Sequence, residues 1–429
     1  MREMKDSGIL GVGKVPISWE QTRLGYECYI RARLGWRGLK ADEYVDEGYA
    51  FISAFNIQDG KLVWEPLNYI TQERYDESPE IKLNIGDVLL VKDGAGVGKS
   101  ARVDSLPCGG TAPNSSIGVI TPYNSMSYRY VCYYIQSPVF SNFVGLLYNG
   151  MGVPHLTQEI LKTIRILMPP LDEQQSICDY LDEKCAEFDT IKSDIQSQIE
   201  ALEEYKRSVI TEAVTKGLDP DVEMRDSGVQ WIGMMPTHWD CQRGKYILRN
   251  VQKPVRDDDG VITCFRDGEV TLRSNRREEG FTMADKEIGY QGIDVGDLVV
   301  HGMDGFAGSI GISDSRGKAS PVLNVLDTEQ NKRYIMYYLR SMAYNDVFVA
   351  LATGIRVRSC DLRWNKLAEL LYPMPPIEEQ QAIVEHIDSV LKRTNAIISD
   401  KKQQIETIEE YKKSLIFEYV TGKKEVVNE

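Results

Sequence analysis

A glycine-rich segment that ends in lysine and serine is the first place where residue types and spacing suggest chemistry. The apolar run 88–91 is followed by Gly-Ala-Gly-Val-Gly-Lys-Ser at 94–100. A phosphate-binding P-loop needs Gly-x-x-x-x-Gly-Lys-Ser/Thr and then a helix whose N-terminus holds the phosphate. Asp93 stands where the first glycine belongs, and the chain continues into Pro107 and Gly109 rather than a helical pattern. The segment therefore predicts a turn between strands, and a nucleotide-binding enzyme remains the less favoured alternative.

Arginine and lysine clusters are the second pattern with a chemical meaning, because these side chains bind phosphate and the base edge of guanine. Residues 21–40 hold five basic side chains and one acidic one, and residues 243–277 hold nine basic and five acidic. The alternative for each cluster is a solvated basic face. The candidate DNA-binding residues are Arg31, Arg33, Arg37 and Lys40 around Trp36, then Lys245, Arg266, Arg273, Arg276 and Arg277, and finally Arg356 and Arg358.

Other catalytic patterns are missing from the sequence. It contains no Gly-x-Ser-x-Gly, no Asn/Asp-Pro-Pro-Tyr/Phe and no Gly-x-Gly-x-x-Gly that opens a helix. None of the eight cysteines forms a Cys-x-x-Cys pair and the four histidines are scattered, whereas zinc ligands usually come in short-spaced pairs. We therefore predict reduced thiols, no catalytic site and no metal or cofactor in this chain.

The net charge of −14 argues at first against a nucleic-acid partner, but its position changes that conclusion. Residues 172–217 carry 12 acidic and 5 basic side chains, and residues 377–429 carry 11 and 8, so these two segments hold −10 of the total. Local patches rather than net charge decide phosphate contact. The sequence has no run of about 18 apolar residues and a charged start, which predicts no membrane span, no secretory signal and a cytoplasmic location.

The chain repeats its own framework. The segment Glu3–Gly8 returns as Glu223–Gly228, Ile85–Val91 returns as Val295–Val300, and Met168–Gln175 returns as Met374–Gln381. Each copy opens with a turn-rich entry that ends in tryptophan, continues through short apolar runs broken by Gly and Asp, and includes a Tyr-rich segment that predicts a short amphipathic helix. Two similar domains with divergent interiors follow from this pattern.

Each copy closes with a long amphipathic helix. From Ile177 to Ala213, apolar or aromatic residues recur at steps of three or four, which places them on one face of a helix. The same face follows Ile383, with Thr394 and Lys401 as polar interruptions. About 40 residues make a rod of roughly 60 Å. Such exposed stripes favour packing of the two helices on each other, antiparallel, over packing of each on its own domain.

These features together resemble type I restriction-modification specificity subunits. The most specific are the helix starts Pro-Pro-Leu/Ile-Asp/Glu-Glu-Gln-Gln and the helix ends Glu-Glu-Tyr-Lys-Arg/Lys-Ser, each present twice, and the resemblance covers essentially the whole chain. It implies an α+β fold with pseudo-twofold symmetry: two β-rich target recognition domains, each followed by a long helix, with the two helices forming an antiparallel coiled coil. The predicted domains are 1–168 and 219–374, and the spacer helices are 169–218 and 375–429.

The resemblance also implies partners and a division of labour. Each recognition domain would read one half of an interrupted DNA sequence, and the coiled coil would fix the half-site separation. Two DNA methyltransferase subunits and the restriction subunits would dock on this chain, and S-adenosylmethionine, ATP and magnesium would belong to those partners. At the helix starts the candidate partner-binding residues, for which local capping is an equal alternative, are Gln174, Gln175, Gln380 and Gln381. A coiled-coil scaffold without DNA specificity remains an alternative.

Overall fold

The computed structural model describes residues 2–33, 39–107, 109–147, 155–276, 288–351 and 362–426. It divides into two compact units, unit 1 with residues 1–195 and 403–429 and unit 2 with residues 196–402. Both units combine helices with short strands, which confirms the predicted α+β class. Among the described helices, none is long and apolar enough to cross a membrane.

Unit 1 contains a four-stranded antiparallel sheet in the order β10-β9-β12-β4, flanked by a three-stranded sheet in the order β11-β5-β8. The apolar faces of β9 and β12 are fully buried and form the centre of the unit's core. The strands are β1 Met4–Asp6, β2 Lys14–Pro16, β3 Glu20–Arg23, β4 Cys28–Arg31, β5 Tyr49–Ile52, β6 Ile57–Gln58, β7 Lys61–Leu62, β8 Asn68–Ile70, β9 Val88–Val91, β10 Ser100–Arg102, β11 Thr111–Pro113, β12 Ile117–Pro122 and β13 Arg165–Met168. The helices are α1 Leu24–Glu27, α2 Gln72–Asp76, α3 Tyr128–Gln136, α4 Pro138–Leu147, α5 Gln158–Thr163 and the long α6 Leu171–Lys216, of which residues 196–216 belong to unit 2.

Unit 2 is built around the corresponding sheet, in the order β17-β24-β21-β22. The predicted apolar runs thus form the central strands of both sheets, and the predicted Tyr-rich helices are α3 and α8. The strands are β14 Met224–Asp226, β15 Met234–Pro236, β16 Asp240–Arg243, β17 Arg249–Asn250, β18 Ile262–Cys264, β19 Val270–Leu272, β20 Gln291–Ile293, β21 Leu298–His301, β22 Ile310–Ile312, β23 Gly317–Ala319, β24 Leu323–Asp327 and β25 Leu371–Met374. The helices are α7 Gly244–Ile247, α8 Lys332–Tyr344, α9 Val347–Ala350, α10 Trp364–Leu367 and the long α11 Ile377–Val420, of which residues 403–420 belong to unit 1.

The two tryptophans that end the entry segments fix those segments to the start of a long helix. Trp19 and Trp239 are almost fully buried. Their indole nitrogens donate to Glu173 at 3.0 Å and to Glu379 at 3.1 Å. A buried tryptophan needs a partner for its N–H, and the first turn of each long helix supplies it. Each entry is therefore held against a long helix by its aromatic residue.

The long helices pack against each other in antiparallel directions. In unit 1 the Tyr180 ring lies 4.5 Å from that of Tyr419, and the Phe188 ring lies 5.4 Å from that of Tyr411, so α6 and α11 run in opposite senses. In unit 2 Lys401 donates to Gln198. The predicted antiparallel coiled coil is confirmed, although about half of the Tyr411 surface remains exposed.

The glycine-rich segment 94–99 is the turn of a β-hairpin. Strand β10 follows directly and pairs with β9, with Ser100 opposite Leu90. The Gly98 amide donates to the Val91 carbonyl, and Gly98 has a φ of +91°, which glycine adopts without a steric penalty. The predicted turn between strands is therefore confirmed.

A close backbone approach in unit 2 gives a stability prediction. A Cβ atom added at Gly311 on β22 would lie 2.0 Å from the carbonyl oxygen of Gly268, which cannot rotate away. We expect Gly311→Ala to lower the free energy of unfolding by about 2–3 kcal/mol in urea titrations. The control is Gly145→Ala on α4, where nothing lies within 4 Å of the added carbon and a gain of up to about 1 kcal/mol is expected. Equal effects of the two substitutions would contradict the packing.

Candidate nucleic-acid interface

In unit 1 several chain segments meet where β9 ends and β12 begins. Ile117 pairs with Val91 at this end of the sheet. The Lys92 amide donates to the Ser116 carbonyl at 2.8 Å, and the Leu156 amide donates to the Lys92 carbonyl at 2.9 Å. We call this place the loop edge of unit 1: residues 92–93, 116 and 155–156. It joins segments that lie far apart in the sequence.

Unit 2 repeats this backbone framework. The Gly302 amide donates to the Val322 carbonyl at 2.8 Å, and the Leu362 amide donates to the Gly302 carbonyl, also at 2.8 Å. Strand β24 begins here, with Leu323 opposite His301. The loop edge of unit 2 comprises residues 302–304, 322 and 362. The same main-chain hydrogen bonds therefore hold both loop edges.

The loop edge of unit 1 carries a carboxylate between two cationic or polar side chains. Asp93 accepts from Lys92 at 2.7 Å and from Nδ1 of His155. Partial burial raises the pKa of the Asp93 carboxyl, but hydrogen bonds from Lys92 and His155 outweigh burial and hold that pKa below its usual value. The His155 side chain is 57% exposed. Because Nδ1 is occupied, Nε2 is the ring nitrogen that remains for a ligand.

The loop edge of unit 2 presents different chemistry on the same frame. Met303 is about half exposed where unit 1 has Asp93. Arg266, whose side chain is 61% exposed, lies 3.2 Å from Asp304. Nδ1 of His301 accepts from the Asp304 amide at 2.9 Å and from the Met303 amide at 3.2 Å, so the turn requires an unprotonated Nδ1. The two edges offer different donors and acceptors.

His301 predicts a pH dependence of stability. Burial lowers its pKa below the ordinary value of 6.5; Asp304 opposes this and Arg266 adds to it. Below about pH 6.5 the His301 imidazole takes up a proton in the unfolded chain but resists it in the folded chain. The stability that the neutral imidazole contributes is therefore fully present above that pH and is lost as pH falls. Between about pH 7.5 and about pH 5, wild type should lose more free energy of unfolding than His301→Gln. Equal losses in chemical-denaturation titrations would contradict the assignment.

The structure places the predicted basic residues of unit 1 in different surroundings. Arg31 is buried on β4 and donates to Asp87 at 2.7 Å and to Thr121, so its charge is used inside the domain. Arg33 has a side chain only 6% exposed, 3.7 Å from Glu77. Lys40 is exposed, and its DNA contact stays a prediction. Arg37, like Trp36, lies outside the described residues.

In unit 2 only part of the predicted basic set reaches the loop edge. Arg266 contacts Asp304, as described above, and Arg276, which follows β19, lies 2.8 Å from Asp267 in the turn between β18 and β19. Arg273 donates to Thr263 at 3.2 Å. Lys245 is an exposed side chain on α7, 3.0 Å from Glu369 and away from that edge. The predicted residues that lie outside the described ones are Arg277, Arg356 and Arg358.

The glutamines at the helix starts divide into two buried and two exposed side chains. Gln174 is fully buried, accepts from the Ser127 amide at 2.8 Å and donates to the Pro169 carbonyl at 2.9 Å. Gln380 repeats this with the Asn331 amide and the Pro375 carbonyl. These contacts support the local capping role that the sequence left open. Partner contact stays a prediction for the exposed residues Gln175 and Gln381.

Sequence reasoning missed the side chains that define the loop edges. His155 and Asp93 are 62 residues apart in the sequence, so no local spacing pattern joins them. A usable signal was present in the Asp-Gly pairs that follow β9 and β21 in both copies. Within the described residues, no group of three or more His, Cys, Asp or Glu side chains could hold a metal ion. The arrangement can offer hydrogen bonds and charge to a polar surface.

Comparison with known proteins gives a consistent family match. A model described as the type I restriction modification DNA specificity domain matches residues 19–201 and 296–407. The MjaVIII specificity subunit of a type I restriction enzyme from Methanocaldococcus jannaschii is 25% identical, over 97% of this chain and 95% of that protein. The MjaX specificity subunit from the same organism, described as putative, is 23% identical over 96% and 95%.

One solved structure shares the fold over nearly the whole chain. It is described as the structural basis of complex assembly and conformational transition of the type I R-M system. The likeness has a TM-score of 0.66 at 15% sequence identity and covers 96% of this chain and 99% of that one.

Proposed function

The chain belongs to the family of type I restriction-modification DNA specificity subunits, and we propose that each unit reads one half of an interrupted DNA target through its loop edge. The observation that carries this proposal is the repeated framework with unequal side chains. Both loop edges use the same main-chain hydrogen bonds, yet one presents Lys92, Asp93 and His155 and the other presents Met303, Asp304 and Arg266. Equal scaffolds with different side chains suit two different half-sites.

The chemistry of these side chains fits base reading. The major groove presents a distinct pattern of donors and acceptors for each base pair, and arginine pairs with guanine through two hydrogen bonds. Arg266 and His155 are the most exposed polar groups of the two clusters described above. Asp93 accepts from His155 and Asp304 lies 3.2 Å from Arg266, so each carboxylate orients the side chain beside it. We propose that His155 reads in unit 1 and Arg266 reads in unit 2.

The acidic long helices fit protein partners better than DNA. They hold −10 of the net charge of −14, and a strongly negative rod repels phosphate. We propose that the chain is a non-catalytic subunit on which two DNA methyltransferase subunits and the restriction subunits dock, and that the length of the helices sets the separation of the half-sites. S-adenosylmethionine, ATP and magnesium are then bound by those partner subunits, and the assembly works in the cytoplasm.

Selection of DNA from a random pool tests the proposal in solution. The complex of this chain with its cognate methyltransferase subunits should enrich a motif with two specified parts separated by an unspecified spacer of fixed length. Methyltransferase subunits alone provide the control and should enrich no such motif. Enrichment of a single uninterrupted motif, or of none by a complex that does form, would count against reading by two units.

A further inference from the structure

The entry segments of the two units differ at one position that decides whether an indole ring is present. The sequence around Trp19 matches the sequence around Trp239 without a gap. In this match Gly11 of unit 1 corresponds to Trp231 of unit 2. Unit 2 therefore supplies an indole ring at this place, and unit 1 supplies no side chain.

The backbone that flanks this position is built alike in both units. The Ser7 amide donates to the Gly13 carbonyl at 2.9 Å, and the Ser227 amide donates to the Gly233 carbonyl at the same distance. Strands β1 and β2 pair in the same register as β14 and β15. Gly11 and Trp231 therefore occupy equivalent places.

A tyrosine of the Tyr-rich helix binds the indole in unit 2. The Tyr338 hydroxyl donates to the Leu371 carbonyl at 2.6 Å and accepts from the indole nitrogen of Trp231 at 3.2 Å. In unit 1 the Tyr134 hydroxyl donates to the Arg165 carbonyl at 2.9 Å, and none of the described residues donates to it. The hydroxyl oxygen of Tyr134 therefore keeps the acceptor position that Tyr338 uses for Trp231.

A pocket of about 360 Å³ lies at this place in unit 1, and Tyr134 is one of its walls. A Cβ atom added at Gly11 would lie 3.6 Å from Nδ2 of Asn142, which also lines the pocket. The pocket therefore lies on the side of Gly11 that would carry a side chain. The rest of the lining is mostly apolar and includes Ile9, Leu10, Val139, Phe140, Phe143 and Leu146.

The size and the lining of the pocket suit a small aromatic group. Ligand pockets begin at about 300 Å³ and combine apolar walls with a few polar groups, and an apolar cavity of about 150 Å³ already binds benzene. The backbone of Gly11 has a φ of +80°, which a residue with a side chain rarely adopts. Unit 1 therefore leaves open a place that unit 2 fills with part of its own chain.

Trp231 shows which chemistry such a place accepts. Its ring packs against the core of unit 2, and its N–H finds an acceptor in Tyr338. We propose that the pocket of unit 1 is a binding site for a planar aromatic group of the size of indole, whose N–H donates to the Tyr134 hydroxyl. Either a free indole-like molecule or a tryptophan side chain of another polypeptide offers this chemistry. The inference goes beyond the proposed function and does not depend on how the DNA is read.

Calorimetric titration of the full chain with indole tests the site. Wild type should bind one indole molecule with a dissociation constant below about 1 mM. Indene has nearly the same shape as indole but lacks the N–H. In Tyr134→Phe, indole should bind about 3- to 10-fold more weakly because one neutral hydrogen bond is lost, and indene should bind as it does to wild type.

Two substitutions on α4 keep the test independent of Tyr134. Leu146 lines the pocket and its side chain is 54% exposed, so Leu146→Glu should fold and should weaken the binding of indole and indene alike. Leu147 is the next residue and is 45% exposed, but it does not line the pocket. Leu147→Glu should therefore leave the binding of both molecules unchanged.

Trp231→Gly tests whether the two places are equivalent. The variant should melt earlier than wild type and should bind two indole molecules instead of one. Saturating indole should recover part of the lost melting temperature, because a ligand that binds only the folded chain stabilises it. If the variant melts earlier but still binds one molecule, the equivalence fails and the proposed ligand class fails with it.

A third ligand separates the two sources of the aromatic group. N-acetyltryptophanamide carries the indole on a peptide backbone. If it displaces indole from wild type, the site takes a tryptophan side chain; if indole binds and N-acetyltryptophanamide does not, the site takes a free molecule. The inference would be overturned if wild type bound no indole, or if wild type, Tyr134→Phe and Leu146→Glu bound it equally.

Discussion

Arg31→Ala is expected to lower the free energy of unfolding by about 3–5 kcal/mol, because it leaves a buried charge without its partner. The Asp87 side chain is 0% exposed and lies 2.7 Å from the guanidinium of Arg31, whose own side chain is 8% exposed. Thr121 also donates to Asp87 but carries no charge. Urea unfolding of the purified chain measures the change in the free energy of unfolding. The dependence of that free energy on urea concentration should be the same for the variant and the wild type.

Two further variants decide whether the buried pair is the cause. Arg23→Ala removes an exposed arginine at the end of β3 and should change the free energy of unfolding by less than about 0.5 kcal/mol. Arg31→Met combined with Asp87→Leu removes both charges and should recover most of the loss, since a buried pair replaced by apolar residues is often neutral. A loss below about 1 kcal/mol for Arg31→Ala would show that Arg31 is free for another role.

His155→Ala should relax the sequence preference of one half of the DNA target and leave the other half unchanged. Arg266→Ala should do the same to the opposite half. Each good side-chain contact to a base supplies about 1–3 kcal/mol of discrimination, which is roughly a 5- to 150-fold change in preference at one position. The two variants act as controls for each other because they lie on the loop edges of different units. Competition binding with oligonucleotides changed at single positions measures the preference.

The outcome also separates base contacts from phosphate contacts. A phosphate contact weakens binding to all sequences alike and reduces its salt dependence, without changing the preferred motif. If both variants bind all DNA sequences more weakly to the same extent, His155 and Arg266 do not read bases. A change in both halves from a single substitution would contradict the assignment of one unit to one half-site.

The framework of the fold was predictable because its signals are local and repeated. The stripes of α6 and α11, the turn-rich entries ending in Trp19 and Trp239, and the Gly-Asp turns before β9 and β21 each depend on residues close in sequence. Such patterns fix secondary structure and the buried face before any long-range contact is known. The glycine-rich segment likewise predicted the turn of the hairpin at 94–99 correctly.

The site was less predictable because its contacts join distant residues. Arg31 looks like a DNA contact by residue type, yet β9 and β12 bring Asp87 and Thr121 to it from 56 and 90 residues away. Likewise His155 gains its role only where Asp93 meets it at the loop edge. For Gln174 the sequence left partner contact and local capping equally open, and only the fold brings the start of α3 against its side chain. Residue type states what a side chain can bind, and the register of the sheet decides what it does bind.

Sequencing of methylated DNA tests the central claim most directly. The chain is co-expressed with its cognate methyltransferase in a host free of DNA methylation, once as wild type and once with residues 240–374 exchanged for the corresponding segment of another specificity subunit. Reading by two units predicts an interrupted two-part motif of modified adenine, and the exchange should replace one half while the other half stays the same. A motif that changes in both halves, or no new methylation from a complex that assembles, would contradict the claim that each unit reads its own half-site.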